Sequence, residues 1–163
     1  MSIKIAVYGY GKNTFCDYIK NKNKHKDCVK ISFADPIYDI MYEAQKICNL
    51  PQIKDRKFLQ FIGENWGINI DENLWVDLAI SKSENHDISL ISDLRYIHEF
   101  QTLKKDGWFN VKIESNKNHE RIVSETELDI LHKLSWDYVI VNNGTLEEFY
   151  EKIDIMLTKF FYL

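Results

Sequence analysis

The residues best suited to chemistry stand near the start of the chain, in Gly9-Tyr10-Gly11-Lys12-Asn13-Thr14. An apolar run, Ile3 to Val7, precedes them and reads as a short buried strand. A helical pattern follows, with Phe15, Tyr18 and Ile19 on one face. Strand, glycine-rich turn, lysine and helix start is an order that binds phosphate. Glycines let backbone N–H groups crowd a phosphate, the helix terminus adds partial positive charge, and the lysine neutralises the outer oxygens. The turn is short: only Tyr10 separates Gly9 from Gly11-Lys12, about three residues fewer than a full phosphate-wrapping loop has. Asn13 stands where a magnesium-holding Ser or Thr is expected. By itself the stretch fits a phosphate site or a plain tight turn.

Composition narrows the partners. A chain of 163 residues supports one domain (1–163) with a sizeable core. The net charge of −4 argues against nucleic-acid binding, which needs a basic face. There is no signal-peptide pattern and no apolar run of membrane-spanning length. Cys16, Cys28 and Cys48 are odd in number and lack metal-ligand spacing, which suggests a reducing, cytoplasmic setting. Of the 21 basic residues, 18 are Lys and only Arg56, Arg95 and Arg121 are Arg. Where Arg persists against that bias, its bidentate fork is expected to matter more than its charge.

The elements that must position these groups follow in order. Val29 to Phe33 reads as a second strand, and Asp35-Pro36 as the cap and first residue of a helix with Ile37, Ile40, Met41, Ala44 and Ile47 inward. Lys54 to Asn65 is a further helix, with Phe58, Phe61 and Ile62 inward and Arg56 and Gln60 sharing a face. Gly63 and Gly67 bracket Trp66, and Asp71 caps the next helix, with Ile70 stapled against Trp75 and a stripe of Leu74, Trp75, Leu78 and Ala79. Ile88 to Ser92 is a third strand with Asp93 and Arg95 just past its end. Trp108 to Ile113 and Asp137 to Val141 complete five strands, and a polar segment, 115–134, reads as a lid carrying Arg121. A last helix has Leu146, Phe149, Ile153 and Met156 inward. The C-terminal Phe160-Phe161-Tyr162-Leu163 is either a self-packed last turn or the contact patch of a homodimer.

Strands alternating with helices imply an α/β domain with a five-stranded, mainly parallel sheet. In such sheets ligands bind outside the carboxyl ends of the strands. Gly9 to Thr14, Asp35, Asp93 to Arg95 and Asn142 to Gly144 all follow strand ends, so they gather at one rim.

These residues resemble those of the phage-type deoxynucleoside monophosphate kinases. Gly11-Lys12-Asn13-Thr14 is similar to the family's Gly-Lys-Asp-Thr, with Asn13 in place of Asp. Ser32-Phe33-Ala34-Asp35-Pro36 resembles its Phe-Ala-Asp-Pro signature. Arg56 to Gly63 with Trp66-Gly67 resembles its Arg-x-x-Leu-Gln segment and the Gly-x-x-Trp-Gly that follows. Ser92-Asp93-Leu94-Arg95 with Glu99 is similar to Ser-Asp-x-Arg-x-x-x-Glu, and Ser124-Glu125 and Asn143-Gly144-Thr145 match the lid exit and last βα unit.

The resemblance implies a three-layer P-loop kinase fold with an NMP-binding helical region over about 35–85 and a lid over about 115–134. It implies transfer of the γ-phosphoryl of ATP to a deoxynucleoside monophosphate, with Mg²⁺. Lys12 would then hold ATP phosphates together with Gly9, Gly11, Asn13 and Thr14, and Asn143 and Gly144 would lie near adenine. Phe33 and Asp35 would border the acceptor, Arg56 grip its phosphate, and Trp66 lie near its base. Asp93 would sit near the metal, Arg95 near the transferring phosphoryl, and Arg121 would close with the lid. The shortened turn leaves open a relative that binds a nucleotide or a protein without turnover, and a small-molecule kinase of related fold such as a phosphomevalonate kinase.

Overall fold

The computed structural model describes residues 2–116 and 133–163. All five expected strands form: β1 (Ile3–Gly9), β2 (Cys28–Ile31), β3 (Ile88–Ile91), β4 (Phe109–Glu114) and β5 (Tyr138–Val141). They make one sheet in the order β2-β3-β1-β4-β5, and every neighbouring pair is parallel. Buried parallel strands carry apolar residues on both faces. β1 does so, with Ile5 and Val7 facing one way and Ala6 and Tyr8 the other, all buried.

One face is covered by α1 (Lys12–Lys22) and the long C-terminal helix, which pack Phe15, Cys16, Ile19, Phe149, Ile153 and Met156 onto Ile5, Val7, Val111 and Ile113. The other is covered by α2 (Asp35–Ile47), by α5 (Leu74–Ser83) through Trp75, Val76 and Ala79, and by α6 (Ile97–Lys105) through Phe100 and Leu103. Three layers result, as expected. Between α2 and α5 lie α3 (Arg56–Gln60), a π-helical stretch (Phe61–Gly67) and the short α4 (Ile68–Ile70). The C-terminal helix, α7, spans Leu146–Phe161.

Several local expectations are corrected. The helix expected over Lys54–Asn65 begins only at Arg56 and widens into the π stretch at Phe61. The wider turn changes the phase, so Phe61 is 54% exposed and Gly63 and Gly67 become the buried positions. A Cβ on Gly67 would fall 2.2 Å from the Trp75 ring, and Trp75 Nε1 donates to the Gly63 carbonyl at 3.0 Å. Trp75 is thus seated on the two glycines, and Ile70, the expected staple, is 63% exposed. Ile47 and Leu78 also face outward, because each lies at the border of its apolar stripe. Asp35 is the first residue of α2 rather than its cap, and its carboxylate accepts from Ser32 N and pairs with Lys82 Nζ at 3.0 Å. The last turn of α7 packs on its own molecule: Phe160 and Phe161 meet Phe109, and Tyr138 meets Phe160 edge-on. No helix among the described residues is long and apolar enough to cross a membrane.

Candidate functional site

Because all five strands run the same way, their carboxyl ends share one rim. The rim is tied together by Asp93, just past β3. Its carboxylate accepts from Ser32 Oγ at 2.6 Å and from the Phe33 N–H at 3.3 Å, both in the turn between β2 and α2. Three residues after Tyr96, the cap of α6, Glu99 turns back. Its Oε2 accepts from the N–H of Arg95 at 2.7 Å and of Tyr96 at 2.9 Å. Glu99 is buried, and burial pushes its carboxyl up to about 7, against the pull of those two N–H groups. The segment from Asp93 to Tyr96 is therefore held at both ends, and it presents Arg95.

Beside it opens a cavity of about 510 Å³, the size range of small-molecule sites. Phe33, Ala34, Ile37 and Tyr38 contribute one wall; Lys54, Arg56, Leu59, Gln60, Gly63 and Glu64 another. Ile68, Trp75 and Val76 contribute the apolar side, and Asp93, Arg95, Tyr96, His98 and Glu99 the edge along the rim. Arg56 is held by a cap: Asp55 Oδ1 accepts from Lys57 N at 2.9 Å and Phe58 N at 3.1 Å, which starts α3. One helical turn on, Gln60 Nε2 donates to Glu64 Oε2 at 3.1 Å. Lys54 Nζ lies 5.5 Å from the centre of the Tyr38 ring. Burial lowers the His98 pKa, against the opposing charge of Glu72, so its imidazole favours the neutral form.

On the other side of the rim, Tyr10 and Gly11 alone join β1 to α1. Gly9 and Gly11 both adopt positive φ, +111° and +88°. A Cβ on Gly9 would fall 2.0 Å from the Ile113 carbonyl oxygen, so glycine there serves the approach of β1 to β4. Gly11 caps α1 without any side-chain hydrogen bond, and no acidic residue sits in the first turn. The first-turn N–H groups of a helix have no acceptor within it, so this end suits an anion. Gly11 lies against the loop after β5, where a Cβ would meet the Asn142 amide at 2.9 Å. Asn143 Oδ1 accepts from Asn116 N at 2.7 Å and ties that loop to the exit of β4. Gly144 answers to helix capping: Thr145 and Glu148 form a reciprocal capping box, and a Cβ on Gly144 would fall 1.6 Å from Glu148 Oε2.

The structure thus brings Phe33, Arg56, Asp93 and Arg95 to one cavity, and Gly9, Gly11, Lys12, Asn142 and Asn143 to the neighbouring stretch of rim. Asp35 and Trp66 do not line the cavity; Trp66 is 44% exposed, and the tryptophan that does line it is Trp75. Arg121 and most of the expected lid lie outside the described residues. Sequence reasoning missed Trp75 as a lining residue and Asp55 as the cap that starts α3, and it carried Glu99 as a motif position without the backbone bonds that give it a role. Asp55 was findable as an Asp ahead of a helical run. Trp75 had no such signal.

Comparisons with known proteins identify a family and a fold. A family model described as deoxynucleotide monophosphate kinase matches residues 44–153. The match includes α3, the π stretch and Asp93 to Glu99, and begins beyond the glycine-rich turn. A protein of Acanthamoeba polyphaga mimivirus assigned as a deoxynucleotide monophosphate kinase is 26% identical over 176 aligned residues, covering 89% of each chain. The deoxynucleotide monophosphate kinase of Escherichia phage RB69 is 28% identical over 110 residues, 63% of this chain and 44% of the phage protein. Among solved structures, dephospho-CoA kinase from Campylobacter jejuni superposes over 97% of this chain and 96% of its own, with a TM-score of 0.51 and 17% identity. That last likeness is one of fold.

Proposed function

The chain belongs to the deoxynucleotide monophosphate kinase family, and on that premise we propose that it transfers the γ-phosphoryl group of ATP to a deoxynucleoside monophosphate. The observation that carries the reading is the pair of guanidinium groups, Arg56 and Arg95, lining one cavity at the rim. An acceptor phosphate and a transferring phosphoryl are what such a pair would hold.

The donor's phosphates are assigned to the start of α1, where Lys12 and the first-turn N–H groups of Lys12, Asn13 and Thr14 meet them, with Asn143 and Gly144 toward adenine. The acceptor's phosphate is assigned to Arg56 and its base to the apolar side near Phe33 and Trp75. An oxygen of the acceptor phosphate then bonds to the γ-phosphorus in line with the departing β-phosphate oxygen, and ADP leaves. Arg95, and Arg121 from the lid, balance the charge that spreads over the transferring group. Magnesium fits as an ion carried in by the nucleotide. Among the described residues no cluster of three His, Cys, Asp or Glu could cage a metal, and Mg²⁺ needs only one or two carboxylates when phosphates and waters complete its shell. Of the rim's two carboxylates, Asp93 and Glu99, Asp93 would hold the ion or its waters. When bound, the ion supplies Lewis-acid polarisation of the phosphate oxygens.

The two-residue link, Tyr10-Gly11, favours a second reading, a relative that binds a nucleotide without turnover. The test is ADP release from Mg·ATP with dAMP, dCMP, dGMP and dTMP offered singly. Turnover should fall by about 100- to 1,000-fold in Lys12→Ala and in Arg95→Ala. A folded wild type that binds nucleotide but releases no ADP with any acceptor overturns the kinase reading and leaves the second.

A further inference from the structure

The cavity has a polarity that bears on which base it takes. Its cations, Lys54, Arg56 and Arg95, are the groups for a phosphate. Its carboxylates are Asp93, Glu99 and Glu64. Asp93 is committed to Ser32 and Phe33, and Glu99 to the backbone of Arg95 and Tyr96. The Trp75 N–H is committed to the Gly63 carbonyl. Glu64 differs: its bonded partner, Gln60, is another side chain of the same cavity.

Arg56, Gln60 and Glu64 follow one another at intervals of four along one helical run. At the α-helical rise eight residues span about 12 Å, on the order of the reach from a nucleotide's phosphate to the far edge of its base. With Arg56 on the phosphate, Gln60 and Glu64 stand where that edge ends. Gln60 gives one N–H to Glu64 and keeps its second for a ligand. The pair therefore offers an acceptor-only carboxylate beside one amide N–H.

We infer that Gln60 and Glu64 read the base of the acceptor, and that the base they select is guanine. The carboxylate accepts from two adjacent donors, ring N1–H and exocyclic N2–H, while the Gln60 N–H donates to O6. Guanine alone among the four bases presents two adjacent donors on that edge. Adenine and cytosine would turn a ring-nitrogen lone pair toward the carboxylate, and thymine a carbonyl oxygen. This inference rests on the kinase reading for what fills the cavity.

The experiment compares dGMP, dIMP, dAMP, dCMP and dTMP as acceptors for the whole protein and for Glu64→Gln. dIMP keeps O6 and N1–H and lacks the N2 amino group, so it isolates one of the two donors. The expected result is kcat/KM for dGMP at least tenfold above dIMP and the other bases. Glu64→Gln should lower the dGMP value by about 100-fold, bringing the dGMP-to-dIMP ratio toward one. A different preferred base, or an unchanged ratio in Glu64→Gln, with turnover intact, overturns the inference and leaves the kinase reading standing. If there is no turnover, thermal shifts decide. A larger shift with dGMP than with dIMP, equalised in Glu64→Gln, supports guanine reading by a protein that is not a kinase. Equal or absent shifts overturn the inference as well.

Discussion

Glu99 holds its carboxyl inside the protein while bonding the backbone on either side of the Arg95 peptide, and its pKa rises from the usual 4.5 to about 7 because burial outweighs those bonds. The groups whose charge it meets are Asp93, which pushes it further up, and Arg95, which pulls it down. A carboxyl whose pKa is higher in the folded than in the unfolded chain binds its proton more tightly when folded. Its contribution to stability is full below about pH 4.5, and is lost as the pH rises through about 7. Urea unfolding of the wild type should show a decline on the order of 3 kcal/mol across that window. Glu99→Gln keeps an acceptor oxygen and should remove this part of the slope; an unchanged slope would place the proton elsewhere. At this scale the guanidinium groups were legible, since Arg against a lysine background pointed to Arg56 and Arg95. The tryptophan was not. Trp66 carries the motif position, but which of two tryptophans meets the cavity depends on helix phase, and phase was set by the π stretch.

The strands were legible as elements because a buried parallel strand is a mainly apolar run, as Ile88, Leu90 and Ile91 show around Ser89, all four of them buried. The π stretch was hidden, since helices of slightly different width share one apolar pattern over a few residues. Its glycines suggest the test. Gly67 has ordinary backbone geometry, yet a Cβ there would fall within 2.2–2.8 Å of the Trp75 indole. Gly67→Ala should cost about 1–3 kcal/mol by overpacking, read by chemical denaturation, and should also raise KM for the acceptor. A neutral Gly67→Ala would mean that the indole has room to shift. Asp55→Ala removes a cap and should cost about 1 kcal/mol, with its kinetic effect confined to the acceptor because α3 carries Arg56 and not the donor's groups.

For the molecule as a whole, the rim joins segments far apart in sequence: Gly11 meets Asn142, and Ser32 meets Asp93. A ligand bridging them resists unfolding. An acceptor nucleotide at about 100 times its Kd should add about 2.7 kcal/mol, a rise in Tm of about 5–10 °C, and Arg56→Ala should abolish the rise without lowering the unliganded Tm by more than a degree or two. The strand order has a consequence for how the protein is made. β1 precedes every other strand in the sequence and lies at the centre of the sheet, but its partners, β3 and β4, begin at Ile88 and Phe109. This buried central strand therefore waits without hydrogen-bonding neighbours until Ile88 and the residues after it have been synthesised. Nascent chains arrested before Phe109 should be cut readily by protease and should bind holdase chaperones, and protection should arrive only once β4 has cleared the exit tunnel.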